Sequence, residues 1–240
     1  VPRNGYNKFS PLVLRNFFPK HGKVLTHGIQ LSSNYYFDEK FNRTDNQSIL
    51  SYILTFRNKA VLTVSGINEY IRLLRPFDPT NTGAVQLPIG HENNFNSIQA
   101  QFVSKPQSVF TYLLEGIAGG YYNSGRRIST TAQIGYRFQP YVNIAINANY
   151  IDLDLPAPYH HYQFWLVGPR VDVTFTKTLY FTTFVQYNEQ IKNLNVNTRL
   201  QWRYKPASDL FIVYSDNYDP GPFATKGRQL VLKWTYWWNL

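Results

Sequence analysis

The sequence lacks cysteine and methionine altogether and contains no long apolar run. Without cysteine, the chain can form neither a disulfide framework nor a thiolate metal site. Its longest apolar runs, such as Leu210–Tyr214, are far shorter than the roughly 20 residues that a membrane-spanning helix needs. These absences exclude a helical membrane protein. A transmembrane β-barrel stays open, because only alternate residues of a barrel strand face lipid.

The chain is also poor in charge and rich in aromatic side chains. Charged residues make up 16% of the sequence, and the mean hydropathy is −0.35. The net charge of +10 raises nucleic acid as a partner, but the basic residues form neither a run nor a helical stripe, so no nucleic-acid partner is expected. Aromatic residues reach 17%, which is typical of the aromatic girdles of outer-membrane barrels.

The N-terminal region carries neither an initiator Met nor a signal-peptide pattern, which predicts a mature or partial chain. Residues 1–23 are punctuated by Pro2, Pro11 and Pro19 and fit no clean strand. They are interpreted as a lead-in segment from missing upstream chain, and residues 24–240 are interpreted as one outer-membrane β-barrel domain.

A period-two alternation of apolar and polar residues recurs about every 20 residues, as expected for a strand and its connection. In Asn193–Lys205, for example, Leu194 and Trp202 share one face while Arg199 and Arg203 share the other. The pattern predicts an all-β, antiparallel up-and-down transmembrane barrel, complete or part of a larger one. About twelve strands are visible: Leu25–Phe37, Ser48–Arg57, Ala60–Leu73, Asn94–Ser104, Phe110–Ala118, Arg127–Phe138, Val142–Tyr150, Trp165–Phe175, Leu179–Asn188, Asn193–Lys205, Leu210–Ser215 and Gln229–Leu240.

The predicted connections alternate between tight turns and longer loops. Outer-membrane barrels have short periplasmic turns and longer outside loops, whereas a Greek-key sandwich has no reason to alternate in this way. Tight turns are expected at 58–59, 105–107, 139–140, 177 and 206–208. Longer loops are expected at 38–45, 75–93, 123–125, 154–161, 188–192 and 216–226.

In each predicted strand, the face that carries the apolar residues is taken as the outer face. The charged residues of the strands then fall on the opposite, inner face. The physical reason is that a charge facing lipid near the midplane costs ~2–4 kcal/mol. A water-soluble sandwich with one solvated face per sheet also keeps charge from its core and is the alternative. The charges predicted to face the lumen are Arg57, Glu69, Glu115, Arg127, Arg137, Arg170, Asp172, Arg199, Arg203 and Lys233. The residues predicted to face lipid include Ile134, Ile144, Val171, Leu200, Trp202, Trp234 and Trp238.

The predicted lumen charges are mostly basic, which indicates a wall of net positive sign. Such a wall favours anionic solutes if the lumen is open. The alternative is that the lumen charges pair with one another and with a plug, because large barrels often have filled interiors.

Three stretches, Gly120–Arg127, the hairpin Trp202–Tyr214 and the ending Leu230–Tyr236, resemble one family. It is the Bacteroidetes outer-membrane family that joins an N-terminal carbohydrate-binding-family-9-like module to a C-terminal β-barrel. The resemblance covers most of residues 24–240 and implies that an N-terminal module and some earlier strands are absent here. It carries over no catalytic residue. Many outer-membrane barrels end in Phe, whereas this sequence ends in Leu240, which still keeps the outward parity.

Two polar stretches could bind a metal ion, and each has a simpler interpretation. His160 and His161 are adjacent, so their side chains diverge on an extended chain, which favours an ordinary polar outside loop. Asp216, Asn217 and Asp219 supply oxygens that suit Ca²⁺, but the Pro-Gly pair that follows indicates a turn. No metal and no cofactor is therefore predicted.

Glu69 and Glu115 could act as an acid–base pair, but their strands are not neighbours in a simple meander, so no catalytic residue is predicted. The leading hypothesis is a non-enzymatic barrel of a bacterial outer membrane, acting as a plugged receptor, a transporter-like pore or a subunit of a larger envelope assembly. Its expected partners are outer-membrane lipid and lipopolysaccharide, further outer-membrane or periplasmic subunits, and a glycan or anionic solute. The alternatives are the C-terminal barrel of a TonB-dependent transporter and an outer-membrane hydrolase.

Overall fold

The computed structural model describes residues 5–238, which form an antiparallel all-β sheet of 14 strands. The only helical element in this part of the chain is a short 3-10 turn at Tyr122–Ser124. None of the helical structure described is long and apolar enough to cross a membrane. The strands are β1 Asn7–Phe9, β2 Leu12–Phe17, β3 Val24–Phe37, β4 Arg43–Phe56, β5 Val61–Arg72, β6 Glu92–Val103, β7 Phe110–Tyr121, β8 Gly125–Phe138, β9 Val142–Asp154, β10 His161–Thr174, β11 Leu179–Asn188, β12 Asn193–Lys205, β13 Ser208–Tyr218 and β14 Thr225–Trp234.

The twelve strands predicted from the alternation correspond to β3 through β14. Each of these strands is hydrogen-bonded to the next one along the chain. β11 and β12 begin and end where the alternation predicts. β14 ends at Trp234, earlier than predicted, and Leu240 lies outside the described residues. The prediction of an all-β antiparallel meander is confirmed, because each strand has one apolar side that the period-two pattern makes visible.

The prediction that residues 1–23 contain no strand is wrong, since β1 and β2 lie in this segment and both pair with β3. The two strands keep one continuous register against β3 and are interrupted at Pro11, whose carbonyl accepts a hydrogen bond from Ser33 N at 3.1 Å. Their side chains are exposed on both sides, so no alternation marks them in the sequence. The interpretation of residues 1–23 as a lead-in from upstream chain stays a prediction.

The strand order has β1 and β2 at one end and β14 at the other. Within residues 5–238 no pairing joins these ends, so the described sheet has two edges. Closure of the sheet into a barrel stays a prediction.

Tertiary contacts divide the sheet into two compact units, and strands β7 to β10 contribute residues to both. Unit 1 comprises the described residues up to Pro106 together with Leu113–Thr131 and Ile151–Gln163. Unit 2 comprises Gln107–Tyr112, Ala132–Tyr150 and the described residues from Phe164 onward.

The lengths of the connections only partly follow the predicted alternation. The tight turn between β12 and β13 consists of residues 206–207, whereas the connection between β5 and β6 extends over residues 73–91. However, the connection between β6 and β7, where a tight turn is predicted, occupies residues 104–109 and is longer than the connection at 122–124, where the loop 123–125 is predicted. The strict alternation is therefore wrong, because several predicted loop residues continue the strands. The 73–91 connection is the one that is clearly long.

Candidate functional site

Strands β3 to β7 of unit 1 present an apolar band on one face, which ends where Ser48, Asn68 and Asn96 lie opposite one another. Cross-strand pairing aligns Leu31, Leu50, Gly66 and Ile98 in one row. Side chains of this face are exposed, and Ile98 is 67% accessible. Water-soluble monomers rarely expose a contiguous apolar surface that extends over several strands. The exposed members of the apolar face of unit 1 are Ile29, Leu31, Leu50, Tyr52, Val64, Ile98 and Leu114.

The opposite side of the same strands, the polar face of unit 1, is covered. Ser51, Ser65 and Ser97 are all buried, and the hydroxyl oxygens of Ser51 and Ser65 lie 2.9 Å apart across β4 and β5. An antiparallel sheet in a water-soluble protein packs its apolar side on the core and leaves its polar side to solvent. Unit 1 has the reverse arrangement, with apolar side chains exposed and small polar ones covered.

The carboxylates of this polar face are held by amides. The side-chain amide of Gln47 donates to Glu69 at 2.8 Å. The amides of Gln99 and Gln101 both donate to Glu115 at 2.7 Å. β5 and β7 are separated by β6, and each carboxylate binds its own glutamines. The structure therefore places Glu69 and Glu115 on one face but does not pair them as an acid and a base.

Unit 2 separates its faces in the same way. Trp202 lies opposite Leu179 and Leu210 in the neighbouring strands, and Leu210 lies opposite Trp234. Ile134 and Ile144, in β8 and β9, are exposed. Four residues predicted to face lipid, namely Val171, Leu200, Trp202 and Trp234, therefore lie on one side, the apolar face of unit 2, together with Phe181, Ile212 and Leu232.

Trp238 lies beyond the last strand but continues a row of aromatic rings. The ring of Trp234 lies 6.4 Å from that of Tyr236, which in turn lies 6.1 Å from the ring of Trp238. The ring of Trp202 lies 5.9 Å from that of Tyr204 in β12. Aromatic side chains are therefore concentrated at this end of the apolar face of unit 2.

The polar face of unit 2 contains two ion pairs. Arg170 and Asp172 lie on β10, with Nη2 and Oδ1 at 2.9 Å, and the Thr182 hydroxyl donates to the same carboxylate at 2.9 Å. Arg203 of β12 lies opposite Asp209 of β13, with Nε and Oδ1 at 3.3 Å. Both ion pairs are partly exposed, so they contribute little to stability. Their main effect is to hold the charged side chains in position.

Two further predicted lumen charges lie on this polar face of unit 2. Arg199 lies opposite Thr182, and Lys233 lies opposite Phe211. Arg203 and Lys233 follow the same parity as Arg199 on their strands. The face therefore collects predicted charges from β10, β12 and β14.

Two carboxylates on the polar faces were not predicted. Asp45 lies opposite Ile71 in unit 1 and shares the parity of Gln47, and Asp209 pairs with Arg203 in unit 2. The alternation does not reveal them, because Asp45 falls in a predicted loop and Asp209 lies just outside a predicted strand. The excess of basic residues on the polar faces is accordingly smaller than the sequence predicts.

The remaining predicted lumen charges have individual surroundings. The guanidinium of Arg127 lies 5.1 Å from the ring centroid of Tyr121, in unit 1. Arg137 is half-buried in β8. Arg57 follows the last residue of β4 and donates to the carbonyl oxygens of Gly22 at 2.8 Å and Pro19 at 3.1 Å. Arg57 therefore ties the connection before β3 to the turn after β4.

Some charged residues do lie on the apolar faces, at strand ends that lead into the 73–91 and 219–224 connections. Arg72 and Glu92 face each other at 4.0 Å in unit 1, where β5 and β6 meet the 73–91 connection. Asp216 and Arg228 face each other at 2.7 Å in unit 2, near the 219–224 connection. The alternation does not predict these pairs, because Glu92, Asp216 and Arg228 lie outside the predicted strands.

The 73–91 connection of unit 1 is organised around Asp78. One carboxylate oxygen accepts from the backbone N–H and the hydroxyl of Thr80, at 2.8 and 2.7 Å. The other accepts from the backbone N–H groups of Thr82, Gly83 and Ala84, at 2.9 to 3.0 Å. Partial burial acts to raise the pKa of Asp78, but the hydrogen bonds from Thr80, Ala84 and Gly83 outweigh it and hold the pKa below its usual value.

Tyrosine hydroxyls fasten this connection to the rest of unit 1. Tyr159 donates to the carbonyl oxygen of Val85 at 2.7 Å, and Tyr121 donates to that of Pro79 at 3.2 Å. Burial raises the pKa of Tyr159, so its hydroxyl stays protonated and remains a donor at neutral pH. Buried Leu73 and Leu87 of the connection form an apolar cluster with Leu155 and Tyr159.

The fastened connection packs on the polar face of unit 1 through aromatic rings. Phe95 lies opposite Glu69, on the polar face, and is buried. Its ring lies 5.8 Å from that of Tyr122, which lies 4.8 Å from the ring of Phe77 in the connection. Burial raises the pKa of Tyr122 to about 12. The sequence predicts a long loop here but not that the loop folds onto the polar face. The signal that indicates this packing is the cluster of Phe and Tyr residues.

The adjacent histidines have different surroundings. Nε2 of His161 lies 3.0 Å from Oδ1 of Asp152, and the same carboxylate accepts from Gln163 at 3.0 Å. His160 is exposed. Across residues 5–238 no group of three or more His, Asp or Glu side chains is placed to hold a metal ion.

The three residues considered for Ca²⁺ have different partners. Asp216 lies on the apolar face of unit 2, whereas Asn217 lies on the polar face and accepts from Asn195 at 2.8 Å. Oδ1 of Asp219 accepts from the N–H of Gly221 at 3.0 Å, as in an ordinary turn. Adjacent side chains that point to opposite faces of a strand cannot share one ion.

These features define an antiparallel sheet whose apolar faces are exposed and whose polar side chains bond to one another. In unit 1 the polar face is also covered. The chain matches no protein-family model, no curated protein and no solved structure.

Proposed function

We propose that the chain is a non-enzymatic β-barrel of a bacterial outer membrane whose apolar faces contact lipid and whose polar faces line the lumen. The observation that carries the proposal is the reversed burial in unit 1, where exposed Ile98 and buried Ser65 belong to neighbouring strands of one sheet. In water this arrangement forfeits the hydrophobic contribution of about 25 cal/mol per Å² of apolar surface. In a bilayer the apolar face recovers that contribution and the polar groups pair inside.

The dimensions of the apolar face of unit 2 support the same proposal. Its β12 row extends from Leu194 to Tyr204, a distance of about 33 Å along a strand. For strands tilted by about 40°, this corresponds to a band roughly 25 Å tall, the height of the apolar band of outer-membrane barrels. Trp202, Tyr204 and Trp234 at one end fit an aromatic girdle at a membrane interface.

The 73–91 connection supports a filled lumen rather than a wide open pore. It is fixed by Asp78, Tyr121 and Tyr159, and it packs on the polar face through Phe77 and Tyr122. We therefore assign the barrel to a plugged receptor, a transporter-like pore with a narrowed lumen or a subunit of a larger envelope assembly. Outer-membrane lipid and lipopolysaccharide, further envelope subunits, and a glycan or anionic solute remain the proposed partners.

Refolding of the full chain with and without amphiphile tests the proposal. The chain should acquire β-sheet circular dichroism and heat-modifiable gel mobility in phosphatidylcholine vesicles, and it should aggregate in buffer alone. A monodisperse, folded β-protein in buffer without amphiphile would refute the membrane assignment, because it would mean that another element covers the apolar faces.

A further inference from the structure

A charged pair interrupts the apolar face of unit 2 at the end that carries the 189–192 and 219–224 connections. Arg228 of β14 lies opposite Asp216 of β13, and both share the face of Leu230 and Leu232. Arg228 lies two positions before Leu230, or about 7 Å along the strand. The pair therefore marks the boundary of the apolar band.

Hydrogen bonds to Asp216 and Thr225 hold Arg228 in place, while its side chain stays accessible to solvent. Asp216 is 0% accessible and accepts from Arg228 Nε at 2.7 Å and from the Tyr214 hydroxyl at 2.6 Å. Thr225 accepts from Arg228 Nη2 at 3.3 Å. The Arg228 side chain nevertheless exposes 56% of its surface. A guanidinium fixed in this way loses little rotamer freedom when it binds a second anion.

Two exposed lysines lie at the same edge. Lys226 Nζ donates to the carbonyl oxygen of Lys192 at 2.6 Å, which joins the 189–192 connection to the start of β14. The carboxylates of these connections have other partners, since Glu189 accepts from Trp165 N at 2.9 Å and Asp219 accepts from Gly221 N. The need of Asp216 for a counterion explains the presence of Arg228, but it does not explain the two lysines beside it.

We propose that Lys192, Lys226 and Arg228 form a docking site for the phosphate of a phosphorylated glycolipid in the outer leaflet. The inference rests on the proposed function, since it requires the apolar face to contact lipid. Acyl chains would pack along Leu230 and Leu232, and the phosphate would lie at the height of Arg228. Arg and Lys beside an apolar band are the donors that an interfacial phosphate needs. A free phosphate ion offers the same charge but no acyl chains.

The test compares charge-matched variants of the full chain in neutral phosphatidylcholine vesicles with and without lipid A. K192Q/K226Q removes two charges at the site and leaves the Arg228–Asp216 pair intact. K105Q/K177Q removes two charges from turns at the other strand ends. Both variants should insert into neutral vesicles. Lipid A should raise the midpoint of thermal unfolding of the parent and of K105Q/K177Q, and its affinity for K192Q/K226Q should be roughly 30-fold weaker.

The outcomes separate the inference from the function on which it rests. Failure of the parent to insert into neutral vesicles would overturn the proposed function. Normal insertion with equal lipid A affinity in both variants would overturn the docking site alone. Dephosphorylated lipid A and inorganic phosphate should each leave the midpoint unchanged. A full shift with inorganic phosphate would overturn the glycolipid as the source, because it would show that the site binds any phosphate.

Discussion

The sharpest prediction concerns two adjacent residues of β8 that point to opposite sides. Ile134 is 44% exposed, and its neighbour Gln133 is also exposed. Successive residues of a strand face opposite ways, so an arginine at each position samples a different environment with the same local backbone. On the face of Ile134 the strand continues with Tyr136 and ends with Phe138, which places Ile134 inside the apolar band.

The two environments predict very different costs for Ile134→Arg. If Ile134 contacts lipid, the substitution should lower the free energy of unfolding by ~2–4 kcal/mol, or roughly 30- to 1000-fold in the folding equilibrium. If it contacts water, a substitution at an exposed site should change that free energy by no more than about 0.5 kcal/mol. Gln133→Arg should have a small effect in either case, because its face already carries Arg137.

The measurement is urea-induced unfolding from phosphatidylcholine vesicles, followed by tryptophan fluorescence. The difference between the two variants cancels the general effect of an added positive charge. Equal free energies of unfolding for Ile134→Arg and Gln133→Arg would refute the assignment of the apolar face to lipid. A larger loss for Gln133→Arg would invert that assignment.

Three further predictions follow from the covered face, the long connection and the basic side chains. Ser65→Leu should lower the free energy of unfolding by ~1–3 kcal/mol through overpacking, because Ser65 is buried. Gly66→Leu should be tolerated, because no atom lies within 4 Å of a Cβ added at Gly66. Equal losses of the two variants in urea-induced unfolding would contradict this prediction. Hydrogen bonds hold the pKa of Asp78 below its usual value of 3.8, so its carboxylate should stabilise the connection at neutral pH and lose that effect as the pH falls through the lowered pKa. Amide protection factors in the connection, which are corrected for the pH dependence of intrinsic exchange, should then fall at acidic pH in the parent but not in Asp78→Asn, and unchanged protection in the parent would argue against the role of Asp78. In any conducting preparation, Arg199→Glu with Arg203→Glu should move the reversal potential toward cation selectivity, and an unchanged potential would show that these residues do not line the path.

The sequence alone determined the strands and their two faces. A period-two pattern is a local property of the chain, so residues such as Leu200 and Arg199 reveal their opposite sides without knowledge of any neighbouring strand. For the same reason, strands β3 to β14 were recovered, and the opposite parities predicted for Trp202 and Arg203 agree with the observed pairing. β1 and β2 were missed because both of their sides are exposed, and such a strand leaves no alternation in the sequence.

Only the tertiary structure decided which polar groups meet and where the long connection lies. Register between strands brings Arg203 to Asp209 and Arg228 to Asp216, and a shift of one residue would have separated both pairs. The position of the 73–91 connection depends on contacts with Tyr121 and Tyr159, which are distant in sequence. Alternation reports which side of a strand a residue occupies, but the partner of a charge and the path of a loop depend on residues that only the folded chain brings together.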